Sequence, residues 1–272
     1  MLLSTSGLTK SFGGITAVDG VEFTLEEGEL CSVIGPNGAG KTTFFNLITG
    51  ELEPTSGTIE FDSTNAEGVA DITTADPATT ARLGLHRSYQ ITNIFPTLSV
   101  LENVRIAAQA HRGSDSWRFW RNVNSFDDHF EEARTILERI GLADDADVEA
   151  QNLSHGEKRS LEIGIALAGD PDLLLLDEPT AGVSSEDIGR LTDLIENIAA
   201  DHSIMLIEHN MDIVMDISDR VVVLDNGSLI ADGEPAAIRD SERVQRAYLG
   251  GYEGDDRNET ASDDSEPGVA TG

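Results

Sequence analysis

Lysine is nearly missing from this sequence. Lys10, Lys41 and Lys158 are the only lysines among 18 basic residues, against 50 acidic ones, and the formal net charge is −32. Such a surface excludes nonspecific nucleic-acid binding, which needs a basic footprint on the phosphate backbone, so no nucleic-acid partner is expected. Cys31 is the sole cysteine. That excludes an intrachain disulfide or a cysteine metal cluster and suits a reducing compartment, where Cys31 serves as core filler. No apolar run reaches the ~18 residues a membrane helix needs. The longest, from Leu161 to Leu176, is broken by Asp170-Pro171-Asp172. The first residues show no cationic start leading into an apolar stretch, so no secretion signal is expected. Internal repeats are absent.

What is present fits a globular chain. The 272 residues are 39% hydrophobic, with a mean hydropathy of −0.20 and a pI near 4.2. That length suits one large domain or two small ones. Acidic residues run along the whole chain and are not confined to one tail. With lysine depleted, the pattern fits a salt-accumulating, halophilic cytoplasm, where screening removes the self-repulsion.

Hydrophobic periodicity organises the chain. Residues 1–30 alternate apolar and polar positions, as in Val21-Glu22-Phe23-Thr24-Leu25, which predicts antiparallel strands. Residues 57–61 predict another strand, and 62–80 a loop or short helix. Helices are expected over 98–111, 127–141 and 154–168. The aromatics Trp117, Phe119, Trp120 and Phe126 lie among arginines between the first two. Strands are then expected at 173–176, 203–207 and 221–224. Between the first two lies an amphipathic helix over 186–200, with Ile188, Leu191, Ile195 and Ile198 inward. Asn226-Gly227 signals a hairpin, and 235–249 a last helix. Residues 251–272 are Gly, Ser, Thr and acid and are expected to be a disordered acidic tail.

The chemistry concentrates in Gly35-Pro36-Asn37-Gly38-Ala39-Gly40-Lys41-Thr42, a match to G-x-x-x-x-G-K-[ST], followed by Thr43. Glycines let backbone N–H groups turn inward around a polyphosphate. Lys41 reaches the β- and γ-phosphates, and the Thr42 hydroxyl holds Mg²⁺. The apolar segment 30–34 reads as the strand before the loop. Residues 42–49 read as the helix after it, with its N-terminus toward the anion. A glycine-rich turn before an ordinary helix is the plain alternative.

A second element is Leu173-Leu174-Leu175-Leu176-Asp177-Glu178, an apolar strand ending in two acids. Strand ends in α/β sheets face ligands. Asp177 would support Mg²⁺ through water, and Glu178 would polarise an attacking water. Alone, this is also a strand followed by a solvated acidic turn. A third element, Leu153-Ser154-His155-Gly156-Glu157, reads in isolation as a helix capping box.

In chain order, phosphate loop, Leu-Ser-x-Gly and acidic strand, the three elements resemble the ATP-binding cassette (ABC) ATPases, over residues 2–250. The resemblance implies a P-loop NTPase α/β fold: a mixed-sheet RecA-like core, an N-terminal antiparallel β subdomain and a helical subdomain inserted at about 91–168. It implies ATP and Mg²⁺, with Phe12 stacking on adenine. Gln90 would be a loop residue sensing Mg²⁺ and the permease. His209 would contact the γ-phosphate, completing a catalytic set with Lys41 and Glu178. Leu153, Ser154, His155, Gly156 and Glu157 would form a signature reading the nucleotide of a partner cassette, identical or not. The other histidines, 86, 111, 129, 155 and 202, are expected at the surface or at caps. Two positions depart from the family pattern: His155 where Gly is usual, and Ser184 where Asp is frequent.

Further stretches are similar to the ATP-binding subunit of branched-chain amino acid importers: 12–18, Tyr89-Gln90, 94–104, 207–215 and 247–250. The implied partners are two membrane permease subunits and, indirectly, an extracytoplasmic solute-binding protein. The implied place is the cytoplasmic face of the cell membrane. Urea or amide importers and lipopolysaccharide-export ATPases are the competing transporters. A soluble cassette working on nucleic acid or ribosomes, or a module that binds nucleotide without hydrolysis, are the other classes.

Overall fold

The computed structural model describes residues 1–66, 68–88, 94–111 and 124–250. Strands β1 (Leu3–Phe12), β2 (Ile15–Leu25), β4 (Ser56–Asp62) and β5 (Val69–Asp71) form an antiparallel sheet in the order β2-β1-β4-β5. Strand β3 (Leu30–Ile34) leaves it and joins β6 (Leu85–Ser88), β7 (Leu173–Asp177), β8 (Ser203–Ile207), β9 (Arg220–Asp225) and β10 (Ser228–Gly233). The order is β10-β9-β3-β8-β7-β6, parallel throughout except for the β9–β10 hairpin at Asn226-Gly227. This is the mixed sheet, with an N-terminal antiparallel one, that the family resemblance implies.

Helix α1 (Lys41–Ile48) lies between the sheets, and Phe44, Phe45, Leu47 and Ile48 share a core with Leu3, Phe23, Ile59 and Phe61. A second core covers the other face of the mixed sheet. There α3 (Val100–His111), α4 (Asn124–Arg139), α5 (His155–Leu167) and α6 (Ser185–Ala199) meet it. Side chains alternate along a strand. Leu173 and Leu175 therefore enter the first core, and Leu174 and Leu176 the second. Burial on both faces explains an unbroken leucine run where a one-sided strand would alternate.

Some elements differ from the sequence reading. The segment 62–80 contributes β5 and the short helix α2 (Pro77–Arg82), whose Asp76 cap accepts from Thr79 N–H at 2.7 Å. Strand β6 and helix α7 (Met211–Ile217) were not foreseen, because each is short and shows little periodicity. The expected last helix is two, α8 (Pro235–Arg239) and α9 (Glu242–Gly250). They break at Asp240-Ser241, where Ser241 restarts the hydrogen-bond ladder by accepting from Gln245 N–H. On α6, Leu194 is buried and Ile188 only half-buried. His129 is buried, not superficial, because its face of α4 turns toward the helical core. His86 is half-buried against Gly169, where a Cβ would meet its ring at 1.9 Å. Of the aromatic segment 112–126, residues 112–123 lie outside the described residues, as does the tail 251–272, while Phe126 falls within α4.

Candidate functional site

Three strand ends converge on one edge of the mixed sheet. Behind β3, the loop 35–40 turns into α1 with Gly40 as the helix cap, at φ 102°. A side chain there would also collide with the Ala17 carbonyl, 2.2 Å from an ideal Cβ. Gly35, at φ 153°, is confined in the same way by the Leu224 carbonyl, at 2.1 Å. Only glycine meets both demands. The β9–β10 turn buttresses the loop, since Gly227 N–H donates to Ala39 O at 2.9 Å and Gly227 O accepts from Asp19 N–H at 2.8 Å.

Lys41 is buried, and its ammonium donates to Gly35 O at 2.7 Å and Pro36 O at 3.2 Å. Burial pushes its pKa below the usual lysine value, while Glu178 and Asp177 act in the opposite direction. The two acids thus favour the charged lysine that a polyphosphate requires.

Asp177 ends β7 and Glu178 follows it. Asp177 is buried, and Oδ2 accepts from Arg87 Nη2 at 2.6 Å. The same guanidinium donates to Asn46 Oδ1 of α1 at 2.6 Å and lies over the Phe45 ring. Glu178 adopts φ 48° and its N–H donates to Ile207 O at 2.9 Å, so its side chain turns toward β8. Left-handed backbone at a glutamate costs about 1–3 kcal/mol. The four fully buried leucines of β7, Leu173 to Leu176, each contributing about 1.5–3 kcal/mol, more than offset that cost. Behind β8, His209 Nε2 meets Glu178 Oε1 at 2.8 Å. The carboxylate can only accept, so the ring nitrogen donates.

A cavity of about 230 Å³ is lined by Ala17, Asn37, Gly38, Ala39, Gly40, Lys41, Thr42, Thr43, Glu178 and His209. The fold therefore gathers the loop and the Glu178–His209 pair. Among the expected residues outside the loop that are described, Asp177, Phe12 and Leu153–Glu157 do not line that cavity. Phe12 is exposed, with Lys10 over its ring at 5.2 Å. The segment Leu153–Glu157 opens α5 elsewhere: Ser154 Oγ accepts from Glu157 N–H and Glu157 Oε2 accepts from Ser154 N–H, the complete capping box. Gly156 abuts the first turn of α6, where an added Cβ would lie 2.6 Å from Asp187 Cγ. Ser184 caps α6 through Asp187 N–H, and His155 is exposed near Gly182. Gln90 lies outside the described residues.

A larger cavity, about 810 Å³, opens between Met1, Asp62–Asn65, Asp170–Asp172 and Asp201–Ser203. Its lining is acidic and without a phosphate loop, so size does not mark the nucleotide site.

Sequence reasoning missed Arg87 and Ala17. Arg87 adjoins the expected glutamine loop, but β6, the strand that carries it, is too short to show a pattern. Ala17 contributes only a backbone carbonyl, which no pattern reveals.

The donor set suits a polyphosphate with a hard cation. The loop offers backbone N–H groups and one ammonium, while Thr42 and Asp177 offer one hydroxyl and one carboxylate. Among the described residues no cluster of three or more His, Cys, Asp or Glu stands ready to hold a metal alone.

Comparison with known proteins agrees. The family described as "ABC transporter" matches residues 18–181, and "Branched-chain amino acid ATP-binding cassette transporter" matches residues 228–254. The high-affinity branched-chain amino acid transport ATP-binding protein LivG of Escherichia coli strain K12 is 40% identical over 255 residues, covering 92% of this chain and 98% of LivG. The probable LivG of Archaeoglobus fulgidus is 36% identical, covering 92% and 95%. Among solved structures, the ADP conformation of MJ1267, an ATP-binding cassette of an ABC transporter, superposes with a TM-score of 0.78. It is 31% identical, and the match covers 92% of this chain and 98% of that one. A phosphate loop, an acidic strand end and a histidine on one sheet edge, together with this similarity across nearly the whole length, establish that the chain belongs to the ABC transporter family as one of its nucleotide-binding ATPase cassettes.

Proposed function

We propose that this cassette hydrolyses Mg-ATP at the Gly35–Thr43 loop to drive uptake of branched-chain amino acids through separate permease subunits. The observation that carries the site assignment is the 2.8 Å contact of His209 Nε2 with Glu178 Oε1 across the cavity from Lys41 and Thr42. The solute is inferred from the names of the relatives, none of which describes a contact made by this chain.

In this reading the loop N–H groups and the positive end of α1 cradle the phosphates. Lys41 exchanges its bonds to Gly35 O and Pro36 O for phosphate oxygens. Its charge falls on the β- and γ-phosphates, where negative charge builds during transfer. Glu178 polarises the attacking water, and His209 holds the carboxylate and that water in line with the γ-phosphate. Thr42, Asp177 and Gln90 are the residues that would hold Mg²⁺, which supplies charge neutralisation between the phosphates. Asp177 is kept from turning away by Arg87. Phe12 stacks on the adenine, and its exposure supports that role.

The residues Leu153, Ser154, His155, Gly156 and Glu157 act on the nucleotide of a second cassette. Their absence from the lining of this chain's own cavity supports the reading: Ser154 and His155 are exposed at the helix tip, and the capping box engages the N–H groups of Ser154 and Glu157 but not those of His155 and Gly156. A homodimer or heterodimer then encloses two nucleotides, and closure moves two permeases. Among the described residues no helix is long and apolar enough to cross a membrane. The cassette works at the cytoplasmic face, a place supported by its likeness to transport ATP-binding proteins, with a solute-binding protein contributing indirectly. Residues 2–250 form the cassette, with about 91–168 as the helical insertion and 251–272 as an acidic tail.

Glu178→Gln tests the assignment. The variant is expected to bind ATP, associate with its partner and release no phosphate in high salt. Wild-type turnover would remove Glu178 from its role. Uptake of labelled leucine against labelled urea in cells lacking the gene tests the solute.

A further inference from the structure

Glu208 is a buried carboxylate to which the mechanism above gives no role. It stands one residue past β8, directly before His209. Its two oxygens look in two directions. Oε1 accepts from Thr180 N–H at 2.9 Å and from the Thr180 hydroxyl at 2.6 Å. Oε2 accepts from His209 N–H at 3.0 Å and faces Asn210 N–H at 3.4 Å. Thr180 belongs to the turn that begins at Glu178, closed by Ala181 N–H donating to Glu178 O at 3.1 Å. One carboxylate thus ties the turn carrying Glu178 to the turn carrying His209.

We propose that Glu208 is a positioning residue for hydrolysis, whose carboxylate clamps the Thr180 turn to the His209 turn and so sets the meeting of Glu178 with His209. The proposal rests on the assignment of those two residues as the hydrolytic pair. The ladder between β7 and β8 ends at the bond from Glu178 N–H to Ile207 O. Beyond it, strand pairing no longer holds the two turns in register. Glu178 is in left-handed backbone and Pro179 lacks an N–H, so the turn has little internal support. An ionised carboxylate suits the task because it accepts at both ends and donates at neither. Glutamine has nearly the same shape and fails chemically: whichever way its amide is turned, the NH₂ group faces a backbone N–H.

The test uses the full-length chain in high salt, with ATPase kinetics, titration with the fluorescent nucleotide TNP-ATP, and thermal unfolding. Glu208→Gln is expected to lower kcat on the order of tenfold, the size typical of losing a charge-assisted hydrogen bond. KM for ATP and TNP-ATP affinity stay within about twofold, because the phosphate loop is untouched. Thr180→Val removes the hydroxyl donor and is expected to fall in kcat alone, whereas Thr180→Ser keeps both donors and stays near wild type. The double variant Glu208→Gln/Thr180→Val falls no more than about twofold below Glu208→Gln, because both changes cut one link.

Unchanged kcat in Glu208→Gln and Thr180→Val would overturn the proposal. So would a parallel loss of kcat, nucleotide affinity and melting temperature, which marks a merely structural group. If Glu208→Gln does not fold, the Thr180→Val and Thr180→Ser pair carries the same test. Glu178→Gln run alongside separates the two levels. Inactive Glu178→Gln with unaffected Glu208 and Thr180 variants refutes the clamp alone, whereas an active Glu178→Gln refutes the hydrolytic pair and the clamp with it.

Discussion

Replacing Arg87 by methionine keeps an unbranched apolar stem against Phe45 and deletes only the guanidinium. The side chains of Arg87 and Asp177 are 6% and 5% exposed, and their ion pair is 2.6 Å long. Asn46 Oδ1 loses its donor in the same step, whereas Glu51, 3.7 Å away and 30% exposed, is partly hydrated already. Removing one member of a buried pair leaves an uncompensated buried charge and costs about 3–5 kcal/mol. Lys41 and Asp177 also attract one another, which points to the lower part of that range. At roughly 2–4 °C per kcal/mol for a chain of this size, about 3 kcal/mol lowers the melting temperature by about 6–12 °C. Because the pair is buried, the loss should persist in high salt. Circular dichroism during heating and a urea titration both read it. Adding Asp177→Asn removes the stranded charge and should recover most of the lost stability, to within about 1 kcal/mol of Asp177→Asn alone. A loss below about 1 kcal/mol in Arg87→Met, or a double variant showing the simple sum, would refute the buried-pair reasoning.

The other expectations are smaller or simpler to read. Gly40→Ala forces a side chain into the Ala17 carbonyl at φ 102° and should weaken TNP-ATP binding at least about tenfold; undiminished affinity would contradict the loop geometry. Ser154→Ala removes a helix cap worth about 1 kcal/mol, and Ser154→Asn should restore stability without restoring phosphate release if the hydroxyl also reads a partner's nucleotide. Raising KCl from about 0.1 to 2 M should raise the melting temperature, since the screening length falls from about 10 Å to below 3 Å; a flat response would contradict self-repulsion at a net charge of −32. Cys31 is buried and burial pushes its thiol well above the ordinary value, so at pH about 8 it should resist iodoacetamide until the chain is unfolded; rapid labelling of native protein would show that the strand is open.

The phosphate loop, the acidic end of β7 and the capping box at Ser154 were legible in the residues alone. Each is local: glycines that must turn, an apolar run that must be covered on both faces, a serine three residues ahead of a glutamate. The strands at 173–177 and 203–207 were equally plain, because buried parallel strands carry continuous apolar runs. Periodicity did not reveal β6 and α7, which are too short to repeat a pattern. Nor did it show the break at Asp240-Ser241, because Ile238 before it and Val244 after it enter the same core. What only the tertiary structure decided is which groups meet. Glu178 and His209 are 31 positions apart, Arg87 and Asp177 are 90, and Thr180 and Glu208 are 28. Sheet order sets those meetings, by placing β7 between β6 and β8 and laying β8 beside β3. Sequence encodes each strand's burial through its own side chains. The neighbour it pairs with depends on the packing of the whole chain, and that packing turns separate motifs into one site.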